Sequence, residues 1–117
     1  MQLAAIVLWL AALGGATMAV MRLRGRPRPP TWMALGHGTI ALIGVLLLVR
    51  VAVASETQLP RYADFALVCF LTAALAGISM FMVFHRRGRP LPIPLMLGHG
   101  FLALTGLAFL LLSLKAP

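Results

Sequence analysis

Leu35-Gly36-His37-Gly38 lies just inside an apolar run, residues 32–54, and Leu97-Gly98-His99-Gly100 lies just inside another, residues 93–114, at an offset of 62. Two further apolar runs, 3–23 and 63–84, precede them. At a helical rise of about 1.5 Å per residue, about 20 residues cover roughly 30 Å, the thickness of a hydrocarbon core. Residues of the hydrophobic class make up 62% of the chain, more apolar surface than a soluble domain of this size can hide. Four transmembrane helices are expected. The first run lacks a charged start, and its arginines follow it, the reverse of a cleavable signal.

The same offset extends beyond the histidines. Ala11-Ala12-Leu13-Gly14-Gly15 aligns with Ala73-Ala74-Leu75-Ala76-Gly77, and Gly44 with Gly106. The basic turns Arg24-Gly25-Arg26-Pro27 and Arg87-Gly88-Arg89-Pro90 align at an offset of 63. One residue is therefore gained or lost between turn and histidine. The expected fold is all-α: an integral membrane four-helix bundle built from two tandem parallel repeats of a helical hairpin, about 3–54 and 63–116. These form one transmembrane domain over residues 1–117. The stripes Ala11, Gly15, Ala19 and Ala73, Gly77 are read as close-packing seams. Prolines 29, 30, 90, 92 and 94 stand at or before helix starts, where a missing N–H is tolerated.

Charge sets the expected orientation. Seven of the ten basic residues fall in the two loops joining helices 1–2 and 3–4: Arg22, Arg24, Arg26, Arg28, Arg86, Arg87 and Arg89. The positive-inside rule puts these loops in the cytoplasm and both termini outside, as in a bacterial inner-membrane protein. Glu56 and Asp64, the only acids, then lie on the outer side. The net charge of +8 is accounted for by orientation and anionic lipid, with no nucleic-acid partner implied. Hydrolytic chemistry has no support, because both carboxylates flank one loop and no Ser-His-Asp or zinc motif is present. The single Cys69 has no internal disulfide partner.

His37 and His99 enter from the same side, at roughly 8–10 Å depth by helical rise. If helices 2 and 4 are diagonal in the bundle, the two imidazoles face one another across the pseudo-twofold axis. Three features point to haem. Two imidazoles are a standard axial pair for haem iron. Gly36, Gly38, Gly98 and Gly100, with Gly44 and Gly106 two turns on, leave flat helix surface for a porphyrin. Arg24, Arg26, Arg86, Arg87 and Arg89 are suited to pair with propionates. Structural or proton-handling histidines in a non-redox membrane scaffold or accessory subunit are one alternative. A small copper-handling transporter is another, because Met33, Met96, Met18 and Met80 supply thioethers that suit Cu(I). His85, whose place in the first half is taken by Leu23, is read as an interfacial member of the basic cluster.

With four helices and paired Gly-His-Gly contexts above a basic surface, the chain resembles small membrane-embedded b-type cytochromes. The resemblance implies one bis-histidine haem b held by His37 and His99. It also implies an electron carrier or redox-complex subunit in place of a stand-alone enzyme. Its partners would be quinone or a redox protein, in a monomer, a homodimer or a larger complex. Larger members carry a second ligand pair at another depth; this chain has none.

Overall fold

The computed structural model describes residues 1–55 and 60–115; Glu56 lies outside the described residues. Four long helices form the fold: α1 (Gln2–Leu23), α2 (Thr31–Ala54), α3 (Ala63–Met80) and α4 (Ile93–Lys115). The helix of α3 continues through a π-helical turn, Phe81–His85. With that turn included, the four spans are 22, 24, 23 and 23 residues, all long and apolar enough to cross a membrane. The bundle measures 46 × 20 × 19 Å.

Each helix packs on its two neighbours in the order α1–α2–α3–α4 and back to α1. α2 and α4 therefore occupy opposite corners, the arrangement the sequence reading allowed. Packing is denser within the hairpins α1–α2 and α3–α4 than between them. Away from the basic loops, the core is built from Ala4, Ala5, Leu8, Val45, Leu48, Ala66, Phe70, Leu107 and Leu110. All but Ala5 fall into four pairs 62 apart. Large apolar side chains also cover the outside, with Val53 81%, Trp32 74% and Phe101 71% exposed. Helices apolar on both packed and exposed faces suit an apolar solvent. The hydroxyls of Thr17, Thr72, Ser79 and Thr105 donate to the carbonyl four residues back, which satisfies them without water.

The two basic turns are built alike. Gly25 and Gly88 take positive φ, 98° and 68°, and their N–H groups donate to the carbonyls of Arg22 and His85. Such left-handed positions after a helix are where glycine carries no steric penalty. The change of offset from 62 to 63 has a structural counterpart here. α3 takes one more residue than α1 before its glycine, and the π-helical turn accommodates it, with Arg86 N–H donating to Phe81 O at 2.9 Å. One residue inserted into an α-helix characteristically produces such a bulge. The following loop is one residue shorter, so α2 and α4 start at Thr31 and Ile93, again 62 apart.

Candidate functional site

His37 and His99 are each the seventh residue of their helix, about 9 Å along it from the basic end. Their rings meet across the bundle with centroids 6.0 Å apart and planes inclined at 76°. Each ring is anchored by the helix beside it in its own hairpin. His37 Nδ1–H donates to Ala11 O at 2.9 Å, and His99 Nδ1–H donates to Ala73 O at 2.8 Å. A carbonyl only accepts, so the proton of each neutral ring sits on Nδ1 and Nε2 carries the free lone pair. Anchoring Nδ1 in this way is how metal-ligating histidines are usually oriented.

The anchoring explains two glycines that the sequence reading assigned only to helix packing. In an α-helix the Ala11 carbonyl already accepts the N–H of residue 15, four positions on. The imidazole must use the second lone pair, reached over residue 15. Gly15 leaves the way open: a Cβ there would stand 3.0 Å from His37 Cε1. Gly77, four residues after Ala73, does the same for His99, where a Cβ would stand 3.1 Å from Cε1. The small-residue stripes of α1 and α3 are thus notches that receive the histidines. The signal was present in the Ala-x-x-x-Gly spacing, but it reads identically for plain helix packing.

A cavity of about 60 Å³ adjoins the pair. Twelve residues line it, and they form six pairs separated by 62: Leu8 and Phe70, Ala11 and Ala73, Ala12 and Ala74, His37 and His99, Ala41 and Ala103, Val45 and Leu107. Six of the twelve are alanine. Among the described residues that line it, only the two imidazoles carry polar side-chain atoms, and the wall is almost wholly apolar. Among the described residues no group of three or more His, Cys, Asp or Glu gathers anywhere.

The other expected site residues lie elsewhere. Gly36, Gly38 and Gly98 are exposed and Gly100 half-buried. A Cβ at any of the four would meet nothing within 4 Å, so these glycines face away from the cavity and do not flatten its walls. Gly44 and Gly106 are buried at helix crossings within the hairpins: a Cβ would meet Leu8 Cγ at 2.6 Å and Phe70 Cζ at 3.1 Å, respectively. They seat two cavity-lining side chains without lining the cavity. Arg24, Arg26, Arg86, Arg87 and Arg89 are exposed at the basic end. Met18, Met33, Met80 and Met96 are absent from the cavity wall, so the imidazoles have no thioether beside them there.

His85 lies at the basic end, where its carbonyl accepts from Arg28, and its side chain, in the π-helical turn, is buried, 5% exposed. Its Nε2 is 3.1 Å from the hydroxyl of Thr31 at the start of α2, its ring stacks on Phe81 at 5.1 Å, and its buried Nδ1 has no hydrogen-bond partner among the described residues. Comparison with family models, curated proteins and solved structures returns no match to this chain.

Proposed function

We propose that this chain is a membrane-embedded electron-transfer protein in which His37 and His99 ligate one haem b. The chain is two tandem parallel hairpin repeats in a bacterial inner membrane, with the arginine loops cytoplasmic and both termini outside. The haem lies near the cytoplasmic face. The observation that carries the reading is the anchored imidazole pair on the diagonal of the bundle. Two imidazoles on opposite sides of one metal, each at a metal–nitrogen distance of about 2 Å, have ring centres roughly 6 Å apart. The ring centroids lie 6.0 Å apart, a separation of the same order.

Haem also suits the donor count. Among the described residues no third His, Cys, Asp or Glu gathers beside the two imidazoles to hold a bare ion, whereas haem brings four nitrogens of its own. When bound, haem would supply one-electron chemistry. The chain's own residues do the rest. His37 and His99 would hold the iron through Nε2. The carbonyls of Ala11 and Ala73 fix the tautomers and raise the basicity of the rings. The alanine walls keep the site apolar. The exposed arginines offer guanidinium groups for propionates at the basic surface. A membrane quinol or a partner redox protein is the electron donor, and a subunit role within a larger complex is compatible with the same chemistry.

Visible spectroscopy of the detergent-purified protein from haem-replete cells tests the reading. Sharp α and β bands on reduction with dithionite are expected, lost in both His37→Ala and His99→Ala. A colourless protein, or a low-spin spectrum that survives either substitution, overturns the shared-haem assignment.

A further inference from the structure

The basic end carries positive charge that the chain does not answer. Arg22, Arg24, Arg26, Arg28, Arg86, Arg87 and Arg89 stand there, on a bundle 20 × 19 Å across. Of the two acids, Asp64 is in the first turn of α3, at the opposite end, and Glu56 precedes it in sequence. Among the described residues, the hydrogen bonds between the hairpins all lie at the basic end. Arg22 Nε–H donates to Leu91 O at 2.8 Å, and the Arg28 guanidinium donates to His85 O at 3.2 Å. Leu91 N–H donates to Pro27 O at 3.0 Å, and Thr31 Oγ1 lies 3.1 Å from His85 Nε2. Two guanidinium groups are therefore fixed by uncharged carbonyls. Each spends one of its several N–H donors in this way and keeps its full charge. The arginines also converge on the point where the two loops touch. Arg26 and Arg28 flank Pro27, Arg89 is two residues before Leu91, and neighbouring Cα atoms are about 3.8 Å apart. Arg22 is half-buried and Arg26, Arg28 and Arg89 are exposed, so a ligand from outside reaches them.

Resting on the membrane placement proposed above, and not on haem, we infer that this loop contact binds the phosphate of an anionic lipid headgroup. Arg22 and Arg28 hold it, with Arg26 and Arg89 beside them. Guanidinium groups pair with phosphate oxygens through forked, charge-assisted hydrogen bonds, stronger than those to neutral acceptors. Arg22 and Arg28 are already oriented by their carbonyls, so binding costs them little side-chain freedom. Position supplies the lipid. The contact lies just beyond the ends of four membrane-length helices, at headgroup level, where basic clusters meet anionic lipid. Trp32, 74% exposed at the start of α2, marks the same level as an interface. A net negative headgroup is required, because a zwitterionic one brings a cation of its own to the same arginines. Arg22, Arg26 and Arg28 belong to the first hairpin and Arg89 to the second, so the bound phosphate also ties the hairpins together.

The test reconstitutes the full chain into vesicles of phosphatidylcholine mixed with phosphatidylglycerol. Retention in the vesicles through an alkaline carbonate wash checks the membrane placement separately; release overturns that placement, and the inference with it. Native mass spectrometry of the protein released into detergent then counts the lipids that stay bound. One phosphatidylglycerol per chain is expected, preferred several-fold over phosphatidylcholine. Arg22→Lys with Arg28→Lys keeps the charge and removes the forks, and is expected to abolish most of that preference. Arg50→Gln with Lys115→Gln removes two charges at the far end and is expected to leave it unchanged. Should the lysine pair fail to fold, Arg26→Gln with Arg89→Gln, both exposed, is expected to lower the preference likewise. No preference in the unaltered chain, or full preference in a folded variant of the site, overturns the assignment. Excess inorganic phosphate is expected to leave the lipid bound; its displacement assigns the site to free phosphate and overturns the lipid source.

Discussion

Gly15→Ala isolates the notch from every other feature of the site. The new Cβ would stand 3.0 Å from His37 Cε1, where carbon atoms rest comfortably at about 3.5–4.0 Å. The ring must retreat by about 0.5–1 Å. Its Nδ1–H bond to Ala11, now 2.9 Å, is stretched to or beyond the ~3.2 Å limit of a good N–H···O bond. Losing such a bond costs about 0.5–1.5 kcal/mol, and leaving the N–H buried and unpaired about 1–3 kcal/mol. The gain in helix propensity from glycine to alanine, about 1 kcal/mol, opposes this, so the fold survives with little net change. The ring's orientation does not survive. At about 1.4 kcal/mol per tenfold, affinity for a group that depends on that orientation falls between about five-fold and about a hundred-fold.

Two measurements check the effect. In histidine-labelled protein in micelles, ¹⁵N resonances report the Nδ1–H tautomer and its hydrogen bond. Haemin titration, followed in the visible spectrum, reports affinity. Gly14→Ala is the control, because a Cβ there meets the His37 ring no closer than 3.9 Å, an ordinary contact. The reasoning is refuted if Gly15→Ala leaves both the tautomer signal and the affinity intact, or if Gly14→Ala is equally harmful.

Four other expectations follow from the same geometry. Gly36→Ala and Gly98→Ala, whose Cβ atoms would meet open space, should leave haemin affinity and thermal stability within experimental error, measured by titration and by circular dichroism melting. Gly44→Ala, which would press on Leu8 at 2.6 Å, should destabilise the protein by about 1–3 kcal/mol through overpacking. Gly106→Ala, with its nearest contact at 3.1 Å, should cost less in the same melts. Ala103→Leu fills the cavity beside His99 and should suppress haemin binding while the far-UV spectrum keeps its helical shape; full binding by a folded variant would show that the cavity is not where the macrocycle enters.

Hydropathy and charge alone carried the reading to four helices and to one basic end, because apolar length and arginine placement act locally and need no knowledge of neighbours. The repeated Leu-Gly-His-Gly carried it to two histidines at equal depth, since helical rise converts an equal count from each helix start into an equal height. Glycine roles were legible only in part. Gly36 and Gly98 sit beside the histidines in sequence, yet a helix turns about 100° per residue, so they project away from the cavity. Gly15 and Gly77 lie far from the histidines in sequence and touch their rings.

What the sequence determined by itself is therefore the number and length of the helices and the identity of the paired imidazoles. Tertiary structure alone decided which helix faces meet: that Ala11 and Ala73 lend their carbonyls, that one extra residue in α3 becomes a π-helical turn burying His85, and that polar contacts between hairpins collect at one end. The physical reason is that helix formation follows from residues a few positions apart. A hydrogen bond to a neighbouring helix depends instead on rotation about the helix axis, set by the sum of all packing contacts and written in no single stretch of the chain.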